Sequence, residues 1–127
     1  MNLSYTEWPG APVVELVVKG RVTREDYEAI VEPLQAFIDC HGTVRVIEVI
    51  EDLDGFDAGV LLPGIRFDLK NMRNVSHVAV VSDIGWLSPV SRAAGALTPI
   101  TVRSFPLAQM HEARKWIKNP DKALAET

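Results

Sequence analysis

The chain has 127 residues, 47% hydrophobic and 24% charged, with a formal net charge of -4 and a pI near 5.3. That length makes one domain with a real apolar core and leaves too little for two. The apolar fraction excludes a disordered chain, and the acidic balance argues against a nucleic-acid binder. The one cysteine, Cys40, excludes an internal disulfide. With no secretory signal from Met1 to Trp8, it points to a reducing cytoplasm. No segment approaches the ~20 uninterrupted apolar residues of a membrane span.

Leu3 to Trp8 reads as an edge strand that turns through Pro9-Gly10 to pair with Val13 to Lys19, a β-branched run closed by Gly20. Thr23 and Asp26 form a loose capping box. It opens a helix whose apolar stripe is Tyr27, Ile30, Val31, Leu34, Phe37 and Ile38, spaced three and four apart. Pro33 is expected to kink that helix and Gly42 to stop it. Val44 to Ile50 alternates as a strand, and Glu51 to Asp57 follows as an acidic turn. Two helical pieces come next, Ala58 to Leu62 and Ile65 to about Met72, split by Pro63-Gly64. Val75 to Ser82 has the continuous apolar centre of a strand covered on both faces. Ile84 to Leu97 reads as a helix, Ile100 to Phe105 as the last strand, Leu107 to Ile117 as the last helix, and Pro120 to Thr127 as a polar tail. This alternation predicts a single α/β domain: a mixed, mostly parallel sheet with an antiparallel edge at its N-terminus.

Five of the ten residues from Glu48 to Asp57 are carboxylates, at the carboxyl end of a central strand, where open α/β sheets bind ligands. A calcium loop does not fit them. Setting Gly55 sixth puts Ile50 first and Leu61 twelfth, and neither coordinates calcium. Asp52-Leu53-Asp54-Gly55 after an apolar strand resembles the first motif of haloacid-dehalogenase-type phosphatases. That likeness would make Asp52 the nucleophile and Asp54 an acid/base, with Ser82 imitating the second motif. The same chemistry demands a later strand ending in paired acids for magnesium, and after Asp83 the only acids are Glu112, Asp121 and Glu126. The plain alternative is a solvated connection in which Asp54 or Asp57 caps the next helix.

Leu61, Ile65, Leu69 and Met72 recur at helical spacing, with Arg66, Lys70 and Arg73 beside them. Such a stretch is either an ordinary surface helix or a basic amphipathic cover that admits an acyl chain and holds an anionic head group. In the second case the Pro63-Gly64 break suits a lid. Trp86 and Phe56 fall near one sheet edge and could line a pocket, pack a loop or serve a dimer contact, while Trp116 reads as core. His41, His77 and His111 have no metal-ligand spacing. No nucleophile elbow, phosphate-binding loop or dinucleotide fingerprint occurs, so no catalytic residue, cofactor or metal is implied.

Several short pieces follow one another in a telling order. Gly20-Arg21-Val22-Thr23 leads into the Tyr27 helix, and His41-Gly42-Thr43-Val44-Arg45 into the strand ending near Asp54-Gly55-Phe56. Phe67-Asp68-Leu69-Lys70 precedes His77-Val78-Ala79-Val80-Val81-Ser82-Asp83 and Trp86. Val102-Arg103-Ser104-Phe105-Pro106 precedes Glu112-Ala113 and Trp116-Ile117. Over roughly residues 13 to 118 this series resembles the SpoIIAA-like family, of STAS-like or CRAL-TRIO-like fold. The resemblance implies helices packed mainly on one face of the sheet. It also implies either an interaction module, as STAS domains often are, or a container for hydrophobic ligands, as CRAL-TRIO domains are. Phosphorylatable STAS domains carry a turn resembling Asp-Ser-Ser-Gly; here Asp52-Leu53-Asp54-Gly55 lacks the acceptor hydroxyl and keeps a fixed charge at Asp54.

Two functions follow as expectations. The first is a non-enzymatic binding module for a small hydrophobic or amphipathic ligand. Phe56, Leu61, Ile65, Leu69 and Trp86 form its apolar wall, and Arg66 and Lys70 meet an acidic head. The second is a homodimeric protein-interaction module that presents Asp52 and Asp54 to a regulatory partner.

Overall fold

The computed structural model describes residues 3–56, 70–85, 89, 92–93 and 96–120. Its frame is a five-stranded sheet of β1 (Leu3–Glu7), β2 (Val13–Val22), β3 (Val44–Phe56), β4 (Val75–Ser82) and β5 (Thr101–Phe105), side by side in chain order. β1 runs antiparallel to β2, and every other neighbouring pair is parallel. The hairpin closes where Trp8 N–H donates to Val13 O at 3.0 Å, with Gly10 at φ 73° in the turn. Two helices, α1 (Arg24–His41) and α2 (Met110–Lys118), complete the described elements, with 3-10 turns at Met72–Asn74 and Leu107–Gln109.

Alternation along the strands sorts the core into two layers. Val13, Ile47, Val49, Ala79, Val81 and Phe105 meet Ala113, Trp116 and Ile117 of α2. Val14 and Val44 meet Leu34, Phe37 and Ile38 of α1 on the opposite face. The interior strand β4 is buried on both sides, at Ala79 and Val81 on one and Val80 on the other. A sheet whose parallel strands follow one another in chain order, with crossovers of one hand, sends those crossovers over one face. α1 accordingly shares its face with the helical residues Lys70–Asn71, where buried Asn71 donates through Nδ2 to Gln35 Oε1 at 3.0 Å. The packing on one face implied by the resemblance thus holds for these crossover residues. α2 follows the last strand and is released from that rule, so it covers the other face.

The capping box is complete. Thr23 Oγ1 accepts from Asp26 N–H at 3.1 Å, and Asp26 Oδ2 accepts from Thr23 N–H at 3.0 Å. Thr23→Ala is therefore expected to cost about 1 kcal/mol of stability in a urea titration, the usual value of such a cap. α1 runs without interruption through Pro33 and ends at Gly42, whose φ of 79° suits glycine and whose N–H bonds Ile38 O at 2.8 Å.

Two expectations need correction. Gly20 does not close β2, and Glu51 to Phe56 is not a turn but the second half of β3. Lys19–Val22 pairs with Asp52–Phe56 across two one-residue irregularities, which leave Glu51 and Asp54 as the extra residues on β3. Gly20, at φ 104°, sits beside the second irregularity. A glycine inside a strand here marks a bulge rather than an end. Asp54 is consequently a strand residue and not a helix cap.

The remaining boundaries shift slightly. Asp83 and Ile84 are irregular and Gly85 lies in a turn, so the helical residues Pro89, Arg92–Ala93 and Ala96–Leu97 start later than expected. β5 begins at Thr101, and the last helix begins with a 3-10 turn. The expected pieces Ala58 to Leu62 and Ile65 to Leu69 lie outside the described residues. No helix among the described residues is long and apolar enough to cross a membrane.

Candidate functional site

Parallel strands end together, so the carboxyl ends of β2 to β5 bring Val22, Phe56, Ser82 and Phe105 to one edge of the sheet. Two side chains stitch that edge. Ser82 Oγ donates to Ile50 O at 2.8 Å and accepts from Ile84 N–H at 3.1 Å, locking the end of β4 to β3. Asp83 Oδ1 accepts from Leu107 N–H at 3.0 Å, tying the segment after β4 to the segment after β5. Both groups are therefore committed to backbone that shapes the edge.

Between these ties lies an open cleft of about 320 Å³, lined by Ser82, Asp83, Ile84, Gly85, Ser104, Phe105 and Pro106. Ile84, Phe105 and Pro106 give it apolar wall. Ser104 Oγ is buried and has no hydrogen-bond partner among the described residues. A buried hydroxyl without a partner is uncommon, and a ligand atom is one way to satisfy it.

The acidic stretch is solvated at Glu51 and Asp52, and the Lys19–Glu51 ion pair at 3.7 Å joins two exposed side chains, so it adds little stability. Bulges re-aim side chains and recur beside functional sites, and two of them fall within this stretch. Among the described residues, no group of three or more His, Cys, Asp or Glu is gathered to hold a metal ion.

The sequence-predicted residues divide as follows. Phe56 ends β3, paired with Val22, and its side chain is not among those described. Asp54 is the extra residue of the second bulge. Asp52, paired with Lys19, is exposed, and so is Lys70. Leu61, Ile65, Arg66, Leu69 and Trp86 lie outside the described residues. Trp116 is core, at 2% exposure. Sequence reasoning passed over Asp83, Ile84, Gly85, Ser104 and Pro106. The available signal was positional, because Ser82-Asp83-Ile84-Gly85 and Ser104-Phe105-Pro106 each fall at the carboxyl end of a strand, the end at which open α/β sheets generally bind ligands.

Comparison with known proteins agrees with this architecture. Residues 13–118 match the SpoIIAA-like family model. The chain is also similar to the crystal structure of an uncharacterised protein of the DUF3478 family from Shewanella loihica PV-4, which has a SpoIIAA-like fold. That match has a TM-score of 0.73 at 20% identity and covers 91% of each chain. An identity that low carries the fold alone. No curated protein matches the chain. A family match over most of the length, the parallel sheet with its antiparallel first strand, and the shared fold lead to one assignment: the chain belongs to the SpoIIAA-like family.

Proposed function

We propose that this protein is a non-enzymatic binding module that takes a small hydrophobic or amphipathic, lipid-like ligand at the carboxyl edge of its sheet. The fold suits a binding or regulatory module in general terms, and the cleft between Ser82–Gly85 and Ser104–Pro106 supports the finer reading. Apolar walls with a few convergent polar groups are the usual composition of a small-molecule site. In this reading Phe56, Leu61, Ile65, Leu69 and Trp86 extend the apolar wall, and Arg66 and Lys70 meet an acidic head by charge-assisted hydrogen bonds. The exposed Cys40 suits a reducing compartment, and we place the protein in the cytoplasm as a homodimer.

The test is uptake of a fluorescent fatty acid. Ile84→Arg puts a long charged side chain into the cleft and is expected to weaken uptake about tenfold or more, a cost of about 1.4 kcal/mol. Leu61→Asp is expected to do the same, with circular dichroism showing both variants folded. Uptake that survives Ile84→Arg in a folded protein overturns the assignment. Native mass spectrometry of the freshly purified chain identifies any retained ligand and reads the oligomeric state in the same spectrum.

The exposure of Glu51 and Asp52 favours a second reading, a regulatory STAS-like interaction module without a phosphorylatable serine. Asp52 and Asp54 then face the protein partner. Under it, Asp54→Lys changes the proteins that co-purify and leaves fatty-acid uptake alone.

A further inference from the structure

β1 is an outer strand of the sheet, and among the described residues no strand pairs with its free side. Alternation decides which backbone groups face that side. The hairpin bond from Trp8 N–H to Val13 O turns Trp8 toward β2, and the β1–β2 register runs from Glu7↔Val14 to Leu3↔Val18 without a shift. Thr6 and Ser4 therefore also bond β2, and the N–H and C=O groups of Leu3, Tyr5 and Glu7 point outward. β2 agrees with this phase, because Pro12 O is turned the other way, to Arg45 N–H at 2.8 Å.

Natural edge strands are usually blunted by proline, lysine, a bulge or a covering element. Leu3-Ser4-Tyr5-Thr6-Glu7 holds neither proline nor lysine and pairs without a bulge, and its Ser4, Thr6 and Glu7 are exposed. Its one charged residue is Glu7, whose Oε2 accepts from Tyr5 Oη at 2.6 Å.

The strand is complementary to itself. Laid antiparallel about a two-fold axis at Tyr5, Leu3 of one copy meets Glu7 of the other, and Tyr5 meets Tyr5. Because these residues are spaced by two, every outward N–H then faces an outward C=O. Ser4 meets Thr6 as a pair of hydroxyl side chains, a favourable cross-strand combination. Each Glu7 lies opposite leucine, and the two carboxylates are set about 14 Å apart along the strands, so no like charges are apposed. Slipping the register by two residues leaves outward groups unmatched at both ends. A two-fold axis also closes the assembly at two copies.

We propose that β1 is a dimer interface: two copies join edge to edge in antiparallel register, Tyr5 on Tyr5, and make one continuous sheet. This rests on the homodimer reading above and names the surface that serves it.

Disulfide cross-linking reads the register. Ser4→Cys and Thr6→Cys are made singly, at exposed positions, in the full chain carrying Cys40→Ser, which removes the exposed native thiol. In this register position 4 of one copy and position 6 of the other are directly opposed, about 4.5 Å apart at Cα and within reach of a disulfide. The diagonal pairs, position 4 with 4 and 6 with 6, stand about 7–8 Å apart. Mild oxidation of the two variants mixed is expected to give at least about tenfold more cross-linked dimer than either alone. Equal yields, or no cross-link from the mixture of folded variants, would overturn the proposal. Sedimentation of the wild-type chain at about 100 µM is the second arm. A dimer that fails the cross-linking keeps the homodimer and removes β1 as its interface, whereas a monomer removes both. If a variant does not fold, amide exchange of the wild-type chain decides. The Leu3, Tyr5 and Glu7 N–H groups are expected to gain protection as the chain is concentrated, and unchanged exchange overturns the interface.

Discussion

Replacing Trp116 with alanine is expected to lower the unfolding free energy by about 3–5 kcal/mol, read from the midpoint of a urea titration. Trp116 is 2% exposed and sits in the layer formed by α2 with Ile47, Val49, Ala79, Val81 and Phe105. Its ring meets His77 edge-on at 5.7 Å and Phe105 at 6.1 Å, and the Arg103 guanidinium lies 5.9 Å from it. Alanine gives up all of these contacts and leaves a cavity that a two-sided sheet cannot collapse to fill. Trp116→Phe is expected to cost less than half as much. It keeps a ring in place and loses an indole N–H that has no hydrogen-bond partner among the described residues. A loss below about 1 kcal/mol for alanine would mean that α2 is a detachable appendage rather than half of the core.

Ile47→Ala is the second large effect, expected at about 2–5 kcal/mol, with Ile47→Val near 1 kcal/mol. Ile47 is wholly buried in β3, flanked in register by Glu15 of β2 and Ala79 of β4. Ala79 is already small and cannot swell to fill the void. Against a typical total of about 5–15 kcal/mol, either alanine variant alone brings a domain of this size near its limit. Ile47 and Trp116 belong to one cluster, so the double variant is expected to depart from the sum of the singles by about 0.5–3 kcal/mol. Strict additivity would argue that the two halves of this layer do not share a cavity.

Local chemistry made most of this frame legible. Pro9-Gly10, the Thr23–Asp26 capping box and Gly42 are signals confined to a few residues, and each appears where it was read. The second half of β3 was hidden for a physical reason. Glu51, Asp52 and Asp54 have poor strand propensity and no alternating apolar partner, so nothing local favours extension. Pairing with Lys19–Val22 imposes it from a distance, and the two bulges absorb the mismatch. The candidate site was less legible still. A cleft at the carboxyl edge is assembled from the ends of β4 and β5 and the residues just after them, about twenty positions apart, and only the parallel topology makes them neighbours.

The placement of α2 has a consequence for biosynthesis. α2 is the last described helix to be synthesised, after all five strands, yet it supplies the cover for Val13, Ile47, Val49, Ala79 and Val81. While the ribosome makes residues 106–118, roughly one to three seconds at ordinary elongation rates, that face has only Trp8 and Ala11 of the first hairpin packed against it and lacks its helix. A nascent sheet in that condition offers holding chaperones an apolar surface, and the arrival of Trp116 and Ile117 is what withdraws it.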